Sequence, residues 1–100
     1  MGSSRRQRPK RLAPKLFAIR KHLRLTQPQM AEKLENPHVK SGHVSAYELG
    51  KREPNLIVLL KYARLAQVPM EMLVDDKMSL PEDMQDKYFS ARILTKHTLK

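Results

Sequence analysis

The stretch Leu25–Pro54, LTQPQMAEKLENPHVKSGHVSAYELGKREP, decides the fold. Helical spacing occurs in it twice. Gln27, Met30, Ala31 and Leu34 stand at i, i+3, i+4 and i+7, one face of a helix. Thr26 offers a side-chain oxygen to cap the start, and Gln29 can reach back to complete a T-x-x-Q capping box. Pro28 is harmless in the first turn, where its missing N–H has no intrahelical partner. A second helix carries Val44, Tyr47 and Glu48 on one face and stops at Gly50, a residue suited to a left-handed cap. Lys51 and Arg52 follow, and Pro54 prevents a restart before it.

Working outward, Pro14 fits the first turn of a helix whose stripe is Leu16, Ile19, Arg20 and Leu23. An arginine in an apolar stripe is a local contradiction, and Glu48 repeats it in the stripe of the third helix. One intruding cation and one intruding anion point to each other as partners; the plainer alternative is two snorkelling surface charges. Between the central helices, Asn36 and Pro37 in Glu35–Lys40 form a turn, and Ser41 is the expected cap of helix 3. Asn55 caps helix 4, with an expected stripe of Leu56, Leu59, Leu60, Ala63 and Ala66. Val68 and Pro69 start a short helix 5 that closes the core with Met72 and Leu73.

This order of residues resembles the phage-repressor/Cro-like (Xre) helix-turn-helix family. The match runs through Leu25-Thr26-Gln27, Met30-Ala31, Leu34, Val44-Ser45, Glu48, Gly50-Lys51-Arg52 and Pro54, then Leu59-Leu60, Ala63, Val68 and Leu73, and so covers about Leu16–Leu73. The resemblance implies a compact all-α domain of five helices with its third helix in the major groove of double-stranded DNA. It also implies pairing of Arg20 with Glu48, and dimers on DNA. The positions matching the family's base readers are Ser41, Gly42, His43 and Ala46, with Lys40 just before. None carries the bidentate fork of Arg, Asn or Gln, so readout falls mainly to His43 and Lys40, helped by His38 and by minor-groove contact from Arg5–Arg11. Gln27 is expected against a backbone phosphate, and Lys51 and Arg52 against the phosphates beyond helix 3. Two departures stand out. The connection from Leu34 to Ser45 is about three residues longer than the family's usual tight turn, and Pro69 replaces the usual Ser or Thr cap.

One hundred residues with 40% apolar content make one globular domain. The net charge of +10 calls for a polyanionic partner. Its placement is uneven: residues 1–31 hold nine Lys or Arg and no acid, whereas residues 71–86 hold six acids against Lys77 alone. We therefore expect a disordered basic arm over residues 1–13, a DNA-binding domain over 14–75, and a C-terminal extension over 76–100 joined through an acidic hinge, Asp75–Asp83. Tyr88, Phe89, Ile93 and Leu94 in that extension either pack on the domain or meet a second copy. No cysteine is present and no apolar run approaches membrane length, which fits a cytoplasmic protein without an anchor.

Catalytic chemistry is not expected. His22, His38, His43 and His97 lack a helical H-x-x-x-H pair, so no metal site and no cofactor follow. Gly2, Gly42 and Gly50 are isolated and form no phosphate loop, while Glu71, Asp75 and Asp76 read as a solvated acidic edge. The leading expectation is a sequence-specific DNA-binding transcriptional regulator, a repressor acting as a homodimer on DNA. The alternative is a protein-interaction module of the same fold, such as a bridging cofactor or an antitoxin-like partner. A nonspecific binder of RNA or of an anionic membrane rests on charge alone.

Overall fold

A computed structural model describes residues 8–84. Its helices are α1 (Leu12–His22), α2 (Gln27–Lys33), α3 (Ser41–Glu48), α4 (Leu56–Ala66) and α5 (Met70–Val74), and among the described residues there is no strand. The start of α2 is the expected capping box: Gln29 N–H donates to Thr26 Oγ1 at 3.2 Å and Thr26 N–H to Gln29 Oε1 at 2.9 Å. At the end of α3, Gly50 adopts φ +74. Lys51 N–H then reaches Ala46 O at 2.9 Å and Gly50 N–H reaches Tyr47 O at 3.2 Å, the paired bonds of a Schellman cap. Asn55 Oδ1 accepts from Val58 N–H at 2.9 Å and starts α4. Helix α5 begins at Pro69 with no side-chain cap.

The long connection between α2 and α3 is a folded turn with its own anchor. Glu35 ends α2 at φ +52. Asn36 Oδ1 then accepts from His38 N–H, and Asn36 O accepts from Val39 N–H, both at 2.9 Å. Val39 is buried in the core. The cap of α3 falls on Lys40 and not on Ser41, which is the first helical residue. Lys40 is extended, one residue after the buried Val39, and its N–H is satisfied by His43 Nδ1 at 3.0 Å. His43 thus supplies the back-reaching half of a capping box, while no side chain makes the capping bond expected of Ser41.

Helix α4 corrects the expected stripe. Leu56 is 69% exposed, and Leu60 is half-buried. The buried face is Val58, Leu59, Tyr62, Ala63 and Ala66. Residues 56–60 are uninterrupted apolar LIVLL, so spacing alone does not fix which of them point inward. Burying Tyr62 removes more apolar surface from water than burying Leu56.

Both expected boundaries also move. Helix α1 starts at Leu12, which is buried, with Pro14 in its first turn. Lys10 and Arg11 donate their backbone N–H groups to the Asp76 carboxylate at 2.8 and 2.9 Å. The Arg11 guanidinium adds bonds to Asp76 O at 2.6 Å and Ser79 Oγ at 2.9 Å. Residues 10–13 are therefore part of the domain and not of a disordered arm. These backbone donors hold the Asp76 carboxyl below its ordinary range. From the other side, the buried Lys15 donates to Met72 O at 2.8 Å and Asp75 O at 3.0 Å, satisfying carbonyls at the end of α5. Burial, then the charge of Arg11, lowers the Lys15 pKa. Leu80 and Met84 complete the core, and residues 82–84 are helical. The stretch expected as an acidic hinge is thus a packed strap.

Helix α1 packs on α3, α4 and α5, while α2 packs on α3. The link between α1 and α3 is a buried ion pair. Arg20 Nε lies 2.7 Å from Glu48 Oε2 and Nη2 3.0 Å from Oε1, a bidentate fork whose side chains are 9% and 5% exposed. The third guanidinium nitrogen, Nη1, donates to Leu25 O at 2.9 Å. Gln27 Nε2 donates to Glu48 Oε1 at 3.1 Å, and the Phe17 ring lies 5.5 Å from the guanidinium carbon.

Two outcomes are expected in urea unfolding and thermal melts. Leu80→Ala costs about 2–5 kcal/mol because it empties a core site, whereas Leu56→Ala is close to neutral; equal effects would mean that the strap is not packed. Glu48→Ala costs about 3–5 kcal/mol by stranding Arg20 in the interior. A melting temperature within a degree or two of the parent would show that the pair carries no stability.

Candidate nucleic-acid interface

The expected site residues gather around α2 and α3. Gln27 is the first residue of α2, directly after the Thr26 cap. Its side-chain amide is engaged with Glu48, so it braces the ion pair between α1 and α3 rather than standing open. Beside it, Arg20, Lys21, Arg24, Leu25, Thr26, Gln27 and Pro28 border an open cleft of about 570 Å³. Lys21 and Arg24 are exposed at its rim, and Arg24 holds φ +62 in the α1–α2 turn. At this helix start the Gln27 N–H and the exposed cations Lys21 and Arg24 offer a phosphate oxygen a donor and positive charge together. Arg20 is instead committed to Glu48, and the Gln29 and Met30 N–H groups to Thr26. Spacing within α2 does not reveal Lys21 and Arg24, because they belong to the preceding helix and turn; the signal was the dense basic run of residues 20–24.

Along α3, Gly42 is exposed, while Ser41, His43, Ser45 and Ala46 are half-buried and Lys40 is exposed just before them. A Cβ built on Gly42 meets no atom within 4 Å. This face carries short side chains only, apart from His43, whose Nδ1 is occupied by Lys40 N–H. Lys51 and Arg52 are exposed beyond its far end, held in place by the Gly50 cap. Arg52 N–H reaches Ala46 O at 3.3 Å beyond the end of the helix; burial raises the Tyr47 pKa and the charge of Arg52 opposes it.

The described part of the basic arm leaves the domain on the same side. Arg8, Pro9, Leu12 and Ala13 share a small cavity of about 50 Å³ with Tyr47, Gly50, Arg52, Glu53 and Pro54. Arg8 therefore stands beside the loop that carries Lys51 and Arg52. Arg5 and Arg6, and the apolar residues Tyr88, Phe89, Ile93 and Leu94, lie outside the described residues. The acids fall elsewhere: Glu71, Asp75 and Asp76 sit on or after α5, which packs on α1 and α4. The Asp76 carboxylate stands at the surface as expected, and it also accepts from the backbone N–H groups of Lys10 and Arg11. Beneath the ion pair, the Tyr62 hydroxyl is buried without a hydrogen-bond partner, and burial first, then the charges of Glu48 and Tyr47, pushes its pKa up. Among the described residues no group of three or more His, Cys, Asp or Glu is arranged to hold a metal ion, and no helix is long and apolar enough to cross a membrane.

Comparison with known families finds a match to the helix-turn-helix family model over residues 16–73. No curated protein and no solved structure matches the chain. The matched span takes in α1 from Leu16, both central helices with their connecting turn, α4 and α5 as far as Leu73. With more than half of its length matched, the chain belongs to the phage-repressor/Cro-like helix-turn-helix family of DNA-binding domains.

Proposed function

We propose that the protein is a sequence-specific transcriptional regulator, a repressor, that lays α3 in the major groove. The observation that carries this reading is the face of α3 from Ser41 to Ala46. It is low and open at Gly42, and exposed cations flank it: Lys40 just before α3, Lys51 and Arg52 beyond its end, and Lys21 and Arg24 by the start of α2. A helix with short side chains can sink until its flanking cations meet the two phosphate ribbons. In this arrangement Lys40, Ser41, Gly42, His43 and Ala46 face base edges. The Gln27 N–H at the start of α2 meets a phosphate together with Arg24. The basic arm, leaving beside Arg52, is directed to the adjacent minor groove. Binding as a homodimer across two half-sites, with residues 86–100 supplying contacts, completes the proposal; light scattering of the DNA complex reads the stoichiometry. Its place of action is then the cytoplasm.

A second reading is favoured by one observation. Leu49, Leu56 and Ile57 are 64%, 69% and 68% exposed, an unusual amount of large apolar side chain for the corner between α3 and α4. A protein partner covering that corner would make the domain a protein-interaction module. Selection of binding sites from a random DNA pool separates the two, because a single recovered motif supports groove reading and an unenriched pool supports the module. Lys51→Ala is expected to weaken binding to all sequences alike and to lower the slope of log K against log salt by about one. A changed motif with an unchanged slope would remove Lys51 from the phosphate contacts.

A further inference from the structure

The two ring nitrogens of His43 are not equivalent. Lys40 N–H lies 3.0 Å from His43 Nδ1. A backbone N–H only donates, so Nδ1 presents a lone pair there and the proton of the neutral ring sits on Nε2. The contact is built into the start of α3. Lys40 is the cap residue, at φ −110 and ψ 175, and its side chain makes no capping bond. The back-reaching half of a capping box is therefore supplied by His43 alone, as Gln29 supplies it in α2. Among the described residues Nε2 makes no hydrogen bond.

Resting on the reading of α3 as the groove helix, we propose that His43 is a specificity-determining residue that offers the base edges a donor and no acceptor. Its tautomer is set by the Lys40 backbone and not by the DNA. A donor at that point favours guanine, with N7 and O6, or thymine, with O4, over adenine, where N7 accepts beside the N6 amino donor, and disfavours cytosine, whose groove edge carries the N4 amino donor. A single neutral hydrogen bond gives a preference of about twofold to tenfold at one base pair.

Two measurements on the full chain test this. Nitrogen-detected NMR of the imidazole rings, at mildly alkaline pH where histidine is neutral, is expected to show His43 with its proton on Nε2; assignment follows from loss of the signal in His43→Gln. A ring protonated on Nδ1 overturns the proposal without any DNA in the tube. In site selection, His43→Gln keeps both an acceptor for Lys40 N–H and an amide donor, and retains guanine or thymine. His43→Glu keeps the capping acceptor but has only acceptors to offer, and reverses the preference toward cytosine or adenine by a similar factor. Both variants are expected to melt close to the parent, with His43→Ala lower. If His43→Glu selects the parent motif unchanged, His43 does not choose the base, although groove reading stands. If the parent itself enriches no motif, groove reading and this assignment fall together.

Discussion

The Arg20–Glu48 pair is the constraint on which the arrangement of α1, α2 and α3 depends. Both charges are out of water, so neither side chain tolerates loss of the other, and the fork geometry leaves little freedom in how α3 lies on α1. The same guanidinium holds Leu25 O, the residue before the Thr26 cap, and the same carboxylate holds Gln27 at the first position of α2. One network therefore sets the distance between the start of α2 and the body of α3, the two places that the proposed groove reading requires to be in register. A pair of leucines would fill the space without loss of stability, but would not direct hydrogen bonds to three separate elements.

Charge also closes the other end of the domain. Lys15 reaches the carbonyls that end α5, and Asp76 takes the N–H groups ahead of α1, so helix termini that are remote in sequence satisfy each other. The basic N-terminal third and the acidic stretch after residue 70 have an internal use besides their effect on partners. Helix α5 has no cap of its own at Pro69, and it is its far end that the Lys15 ammonium secures.

What was legible in the sequence was local or self-contradictory. The T-x-x-Q box, Gly50 and Asn55 announce themselves within four residues, because a cap is a contact between near neighbours. Arg20 and Glu48 were legible because each breaks an apolar stripe. The phase of α4 was not, since five apolar residues in a row satisfy more than one face. Nor was the cap of α3: Ser41 is the better capping residue by type, but the burial of Val39 sets where the chain turns into the helix. The bonds of Asp76 to Lys10 and Arg11 were not legible, because those partners lie 66 and 65 residues away. In the candidate interface, what followed from the pattern is that residues 41–46 lie on α3. The engagement of Gln27 and His43 by neighbouring groups, and the approach of Arg8 to Arg52, are properties of three-dimensional proximity alone.

Gly42 leaves one more consequence. It is the second residue of α3, it does not hold a positive φ, and the space where its side chain would stand is empty. Nothing in the domain asks for glycine there; an alanine would favour the helix by some tenths of a kcal/mol. The domain is thus separable into a scaffold that does not require glycine at this position and an outer surface on which an added Cβ meets nothing. A new long side chain at residue 42 alters what the helix can touch without disturbing the Arg20–Glu48 network or the core. Divergence of binding preference among descendants of this chain can begin there, one codon at a time, with folding left out of the selection.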